Sequence, residues 1–195
     1  YLPAMVESVR RQYPSVDVRL GDARNLSAFA DATFRLVAFS NRGIDAVSHE
    51  DRRCILAEAY RVLEPGGIFW FSTLNKDGEV PRLRPWSPRL PWLRPGVPRR
   101  FGHLLRTLRS MPRGTLNYYR SSSARAEGDG WLTAPFYAHN FGLIVHYTTL
   151  GSQIAELQQA GFRGSVEVYD DESGARIRAG EQLGRVPSFD ILASK

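Results

Sequence analysis

Apolar and polar positions along the chain follow two periods. Leu2, Met5, Val6 and Val9 recur at helical spacing, with Arg10 and Arg11 near the end of the run, so the sequence opens in a helix. Val16-Asp17-Val18-Arg19-Leu20 alternates and predicts a short strand leading into Gly21-Asp22. After a connection over 27–33, Phe34-Arg35-Leu36-Val37-Ala38-Phe39 reads as a strand buried on both faces, the kind found in parallel sheets. Ser48 to Asp51 is an S-x-x-D helix start, and the helix that follows places Ile55, Ala59, Val62 and Leu63 on one face. Glu64-Pro65-Gly66-Gly67 ends it in a tight turn, and Ile68 to Ser72 is the next buried strand.

The second half reads less evenly. Phe101, Leu104, Leu105, Leu108 and Met111 share one helical face, with Arg99, Arg100, Arg106 and Arg109 largely elsewhere. Phe141 to Tyr147 is extended; Ile154, Leu157 and Phe162 mark a helix stopped at Gly161; Val166-Glu167-Val168-Tyr169 and Phe189 to Ala193 are two closing strands. Strand, helix, turn, strand at these lengths is the order of a parallel α/β sheet.

Charge divides the chain. Of 195 residues with a net charge of +6, the stretch from Lys76 to Arg125 alone holds twelve Arg or Lys against Asp77 and Glu79, and seven of the twelve prolines. It therefore reads as an inserted segment with its own task, or as a solvated loop. Three parts result: 1–75, the basic Pro/Arg-rich segment 76–140, and 141–195, the last belonging with the first. Cys54 is the one cysteine, which excludes an internal disulfide and a multi-cysteine zinc site, and it reads as a small buried apolar residue. No metal site is expected. No apolar run approaches the roughly 20 residues that span a bilayer, and no signal segment opens the chain, so a cytoplasmic location is expected.

Three segments, in order, resemble the class I S-adenosylmethionine-dependent methyltransferases, of the type 11-like kind. Val18-Arg19-Leu20-Gly21-Asp22-Ala23-Arg24-Asn25-Leu26 is similar to their "strand, G-D-A, x-x-L" stretch. Phe34-Arg35-Leu36-Val37 is similar to their "F-D-L-V" strand, with Arg35 in place of the acid. Glu58-Ala59-Tyr60-Arg61-Val62-Leu63-Glu64-Pro65-Gly66-Gly67 is similar to their "E-x-x-R-V-L-x-P-G-G" signature, the most specific of the three. The late Ala160-Gly161-Phe162 also fits their closing helix and hairpin.

The resemblance implies a Rossmann-like three-layer α/β sandwich, mostly parallel, with an antiparallel last strand and strand order 3-2-1-4-5-7-6. The sequence has no G-x-G-x-G turn following a strand. On this reading the chain lacks the family's first two strands and about half of a cofactor site, and by itself is expected to be aggregation-prone and not to bind the cofactor.

What the resemblance implies for sites is specific. S-adenosylmethionine is the cofactor. Asp22, Ala23 and Arg24 lie at its adenine, the Asp22 carboxylate accepting from the amino group and the Ala23 backbone N–H meeting a ring nitrogen. Ser40, Asn41 and Gly43 line the methionine and methyl end. Methyl transfer rests mainly on proximity and orientation, with a base only where the acceptor loses a proton; His139, His146 and Tyr147 are the candidate bases, and His49 reads as a helix-start residue. The methyl acceptor is expected to be a small molecule. The basic segment reads first as a lid, then as a surface loop, then as a membrane or nucleic-acid contact, for which there is no firm signal. A non-catalytic methyltransferase-like scaffold, or a binding module acting through the basic segment, is the alternative.

Overall fold

The computed structural model describes residues 3–87, 101–178 and 181–195, the stretch 101–110 by its backbone alone. Within them lie four α-helices, α1 (Pro3–Gln12), α2 (His49–Val62), α3 (Phe101–Ser122) and α4 (Leu150–Ala160). Seven strands accompany them: β1 (Phe34–Phe39), β2 (Leu63–Asn75), β3 (Ala126–Gly128), β4 (Trp131–Phe136), β5 (Leu143–Thr148), β6 (Val166–Asp170) and β7 (Ser188–Ser194). Arg99 and Arg100, and the side chains of Leu104, Leu105, Arg106, Leu108 and Arg109, lie outside the described residues. So does Leu2 of the opening pattern.

The strands form one mixed sheet in the order β3-β4-β5-β2-β7-β6, with β1 also on β2. Thirteen residues long, β2 is its axis. Its first part pairs parallel with β1 (Leu36 with Ile68, Phe39 with Phe71), and its end pairs parallel with β5 (Leu74 with Tyr147). On its other side β7 runs antiparallel, followed by β6. The run β1-β2-β7-β6 thus has the expected 4-5-7-6 order with an antiparallel last strand. No described helix is long and apolar enough to cross a membrane.

The helix signals act as their chemistry requires. The Ser48 side chain accepts from the Asp51 backbone N–H and caps α2. Ile55, Ala59, Val62 and Leu63 are all buried, and Ile55, Ala59 and Leu63 pack with Phe69, Phe71, Leu157, Phe162 and Ile191 between α2, α4 and the sheet. Gly161 ends α4 with φ 112°, where an added Cβ would meet the Tyr60 ring at 2.8 Å. Gly66, at φ 78°, turns the chain within a register jump between Phe34–Leu63 and Leu36–Ile68.

Three local expectations are corrected. Residues 16–20 form no strand, because no described strand flanks them; Val16 and Leu20 are more than half exposed, and the Val18 carbonyl accepts from the Arg10 guanidinium instead. β1 is not buried on both faces: Leu36 is 57% exposed, since β2 is its one described neighbour and its outer face carries no layer. Cys54 is exposed, on the side of α2 away from the core. The hairpin of β3 and β4, antiparallel through Gly128–Trp131 and joined to β5, lies within a segment that charge and proline marked as an insertion.

Candidate functional site

At the carboxyl end of β1 the chain turns sharply. Asn41 and Arg42 both take left-handed backbone, φ 55° and 57°, and the Gly43 N–H donates to the Ser40 carbonyl at 3.3 Å. Arg42 fixes the turn, its N–H donating to Ser72 Oγ at 2.9 Å and its guanidinium reaching Asp171 at 3.2 Å. Gly43 lies so close to Phe39 that a Cβ there would sit 3.0 Å from the ring. The following turn, Gly43–Ala46, buries Ile44 and Asp45, and Ser48 then starts α2 with His49 in its first turn.

A second loop reaches the same place. The Arg24 N–H donates to Asp22 Oδ1 at 3.0 Å, and the Arg24 guanidinium grips Asp22 at 2.6 Å and Asp51 at 3.1 Å. The Arg24 contact holds the Asp51 carboxyl below its ordinary range. Arg24 therefore ties the 22–25 loop to the start of α2.

Between these loops and the hairpin opens a cleft of about 1090 Å³. Ala23, Arg24, Gly43 and His49 line one side, Trp131, Thr133, Ile144 and Val145 the other. Ligands of open α/β sheets bind in this position, outside the carboxyl ends of parallel strands.

Behind the cleft wall runs a buried polar network. Arg52 has no exposure; its guanidinium donates to Asp45 at 2.6 Å, to Thr73 Oγ1 at 3.0 Å and to the Gln153 side-chain carbonyl. Asp45 also accepts from the Leu74 backbone at 2.7 Å. Burial pushes the Asp45 carboxyl up, to about 6, against the pull of Arg52. Glu156, 7% exposed, lies 3.6 Å from Arg52 Nε and 3.7 Å from His49 Nδ1.

His49 completes the link to the cleft. Its Nδ1 is 3.2 Å from His146 Nε2, and its ring stacks on Trp131 at 4.4 Å and 6°. His146 is fully buried, and desolvation, reinforced by Arg52, pushes its imidazole down to about 2. His49 is lowered less, by partial burial and by Arg53 and Arg52, with Glu156 opposing.

The structure brings some of the expected residues together and separates others. Ala23, Arg24 and Gly43 line the cleft, with Asp22 in the loop behind them; Ser40 and Asn41 form the exposed turn that sets Gly43 in place. His146 lies behind His49 and does not line the cleft. Tyr147 has no exposure, packs with Leu74, Ala134 and Val145, and burial raises its hydroxyl further above the ordinary tyrosine range. His139 is exposed on the turn after β4, against Phe136.

Arg52, Glu156, Trp131 and His49 are the residues that sequence reading passed over. The signal for the first was weak but present, an arginine among Ile55, Leu56 and Ala59 in the first turns of a core helix.

Residues 1–67 match the methyltransferase domain family. A 94-residue stretch is 36% identical to a "probable S-adenosylmethionine-dependent methyltransferase" of Mycolicibacterium smegmatis, covering 46% of this chain and 35% of that protein. The chain thus spans about a third of the length of that curated relative. Its fold is shared with an S-adenosylmethionine-dependent methyltransferase from Mesorhizobium loti (TM-score 0.57, 18% identity, all of this chain and 77% of that one). It is also shared with one from Methanosarcina mazei (TM-score 0.54, 15% identity, all of this chain and 78% of that one).

Proposed function

We propose that this chain is part of a class I S-adenosylmethionine-dependent methyltransferase, a reading supported by the domain match over residues 1–67 and by the 36% identity over 94 residues, and that the intact protein transfers a methyl group to a small molecule bound in the cleft between the Gly43 turn and the β3–β4 hairpin. The observation that carries this reading is the convergence on one cleft of the Ala23–Arg24 loop, Gly43 and the Trp131–His49 pair. Its volume of about 1090 Å³ suits a cofactor portion beside a small acceptor, since small-molecule sites run to roughly 300–1,000 Å³.

The residues present fit the adenosine end of the cofactor. The Asp22 carboxylate is an acceptor in the loop just behind Ala23 and Arg24, and an adenine amino group reaching it would exchange for one of its Arg24 contacts while Asp51 still holds that guanidinium. The tight Phe39–Gly43 approach keeps a side chain out of the turn and gives the ligand access to backbone. When bound, S-adenosylmethionine supplies an electrophilic methyl carbon on a sulfonium.

What the chain itself supplies is placement. Trp131, Ile144 and Val145 form an apolar wall that excludes water and orients a planar acceptor, while the turn at Ser40, Asn41 and Gly43 sets the opposite side. The hairpin of the 76–140 segment contributes Ala126, Trp131 and Thr133 to the cleft, beside Ile144 and Val145 of β5, which favours a role for that segment over the pocket. Titration of the intact protein with S-adenosylhomocysteine tests the reading: binding supports it, and no binding leaves a methyltransferase-like scaffold.

A further inference from the structure

Three features stand outside the reading above: the buried carboxylate of Glu156, the buried imidazole of His146, and the second, more polar cavity behind Trp131. They meet at one residue. His49 lines both the main cleft and the second cavity, of about 370 Å³, which Arg53, Asp129, Thr149, Ser152 and Glu156 also line.

We propose that His49 is the proton acceptor for the methyl acceptor, with His146 and Glu156 as its positioning residues, and that the acceptor is a molecule whose attacking atom must shed a hydrogen. This rests on the methyl-transfer reading. As the acceptor's bond to the methyl carbon forms, the methyl–sulfur bond breaks with its electron pair left on sulfur, and the released proton goes to His49 Nε2.

The carboxylate sets the tautomer. His49 Nδ1 faces Glu156 Oε1 at 3.7 Å, which can only accept, and His146 Nε2 at 3.2 Å, which accepts when the His146 hydrogen is on Nδ1. A hydrogen on Nδ1 satisfies that arrangement and leaves the Nε2 lone pair, which no described side chain engages, on the ring edge away from the network. Neither Glu156 oxygen has a hydrogen-bond partner among the described residues, so the carboxylate is placed to stabilise positive charge that arrives on His49.

The remaining charged neighbours are accounted for. Arg52 and Arg53 of α2 oppose that charge, Glu156 of α4 favours it, and His146 of β5, buried beside Arg52, stays neutral and accepts. From the hairpin, Trp131 stacks on the ring and Asp129 lines the second cavity. His146, expected as a base itself, is closed off from the cleft by His49 and serves it instead.

The test is a long-range ¹H–¹⁵N spectrum of the ¹⁵N-histidine-labelled intact protein from pH 5 to 9, with His49→Gln identifying the His49 signals. At pH 8 His49 should carry its hydrogen on Nδ1 with Nε2 bare, and Glu156→Gln should lower its titration midpoint by about 1 pH unit. A hydrogen on Nε2 at pH 8, or a midpoint unmoved in Glu156→Gln, overturns the proposal. The tautomer is read in the unmodified protein, so it stands even if the Glu156 variant folds poorly. S-adenosylhomocysteine titrated into the same samples reports separately on the methyl-transfer reading, whose failure would leave the tautomer measurement intact.

Discussion

His49 Nδ1 lies 3.2 Å from His146 Nε2, although 97 positions separate the two residues in the chain. The contact joins the first turn of α2 to the middle of β5 at the wall of the cleft. Because His146 is buried beside the Arg52 guanidinium, it enters this contact as a neutral ring. Two measurable consequences follow from the network, one in pH dependence and one in stability.

In the unfolded chain His146 binds a proton below about pH 6.5, whereas in the folded protein it refuses one down to about 2. The unfolded state therefore binds more protons in this window, and stability falls as pH drops through it, by at most about 1.4 kcal/mol per pH unit. Above the window the term is constant. Asp45 contributes with the opposite sign: its folded carboxyl, raised to about 6, is protonated earlier than in the unfolded chain and gains stability as pH falls through that range. Subtracting the denaturation free energy of His146→Gln from that of the parent at each pH removes the Asp45 term. The difference should be flat above about pH 7 and decline below about pH 6. A curve flat from pH 5 to 8 would mean that His146 ionises in the folded protein.

Arg52→Met leaves Asp45 and Glu156 buried without their cation, and should destabilise the fold by about 3–5 kcal/mol in urea denaturation. Adding Asp45→Asn to it should recover part of that loss, because the uncompensated charge is gone. A double variant no more stable than the single one would show that Arg52 acts through packing alone.

The elements that were legible in the sequence are those whose signals are local. Ser48 and Asp51 cap α2 within one turn, Ile55, Ala59 and Val62 repeat at helical spacing, and Gly161 must be glycine at φ 112°. The core strands β1, β2, β6 and β7 carry their apolar runs openly. Residues 16–20 also alternate, yet alternation makes a strand only where another strand takes up its backbone groups. The β4 strand was hidden, because Trp131 to Phe136 contains Pro135 and lies in a segment dominated by arginine and proline. The cleft-lining residues Ala23 and Arg24 were legible through a contiguous motif. The His49–His146–Glu156 cluster was not, because it joins three elements with no shared spacing and exists only once α2, β5 and α4 have packed.

Gly161→Ala tests the closing turn of α4. The substitution forces an alanine to φ 112° and drives its Cβ to within 2.8–3.1 Å of the Tyr60 ring. It should lower stability by more than about 1 kcal/mol. Gly151→Ala, in the first turn of the same helix with open space at its Cβ, should instead raise it by up to about 1 kcal/mol. Thermal denaturation of the pair checks both, and equal effects would contradict the account of Gly161.

The central claim is that the intact protein holds the adenosine end of S-adenosylmethionine at the Asp22–Ala23–Arg24 loop, and calorimetric titration with S-adenosylhomocysteine tests it most directly. Asp22→Ala removes a hydrogen bond to a charged acceptor, and should weaken binding by roughly 1.5–3 kcal/mol, about 10- to 150-fold, while the circular dichroism spectrum stays unchanged. Binding by the parent protein with that loss in the variant is the predicted result. Equal affinity of parent and Asp22→Ala would contradict the adenine assignment, and no binding by the intact parent protein would contradict the claim itself.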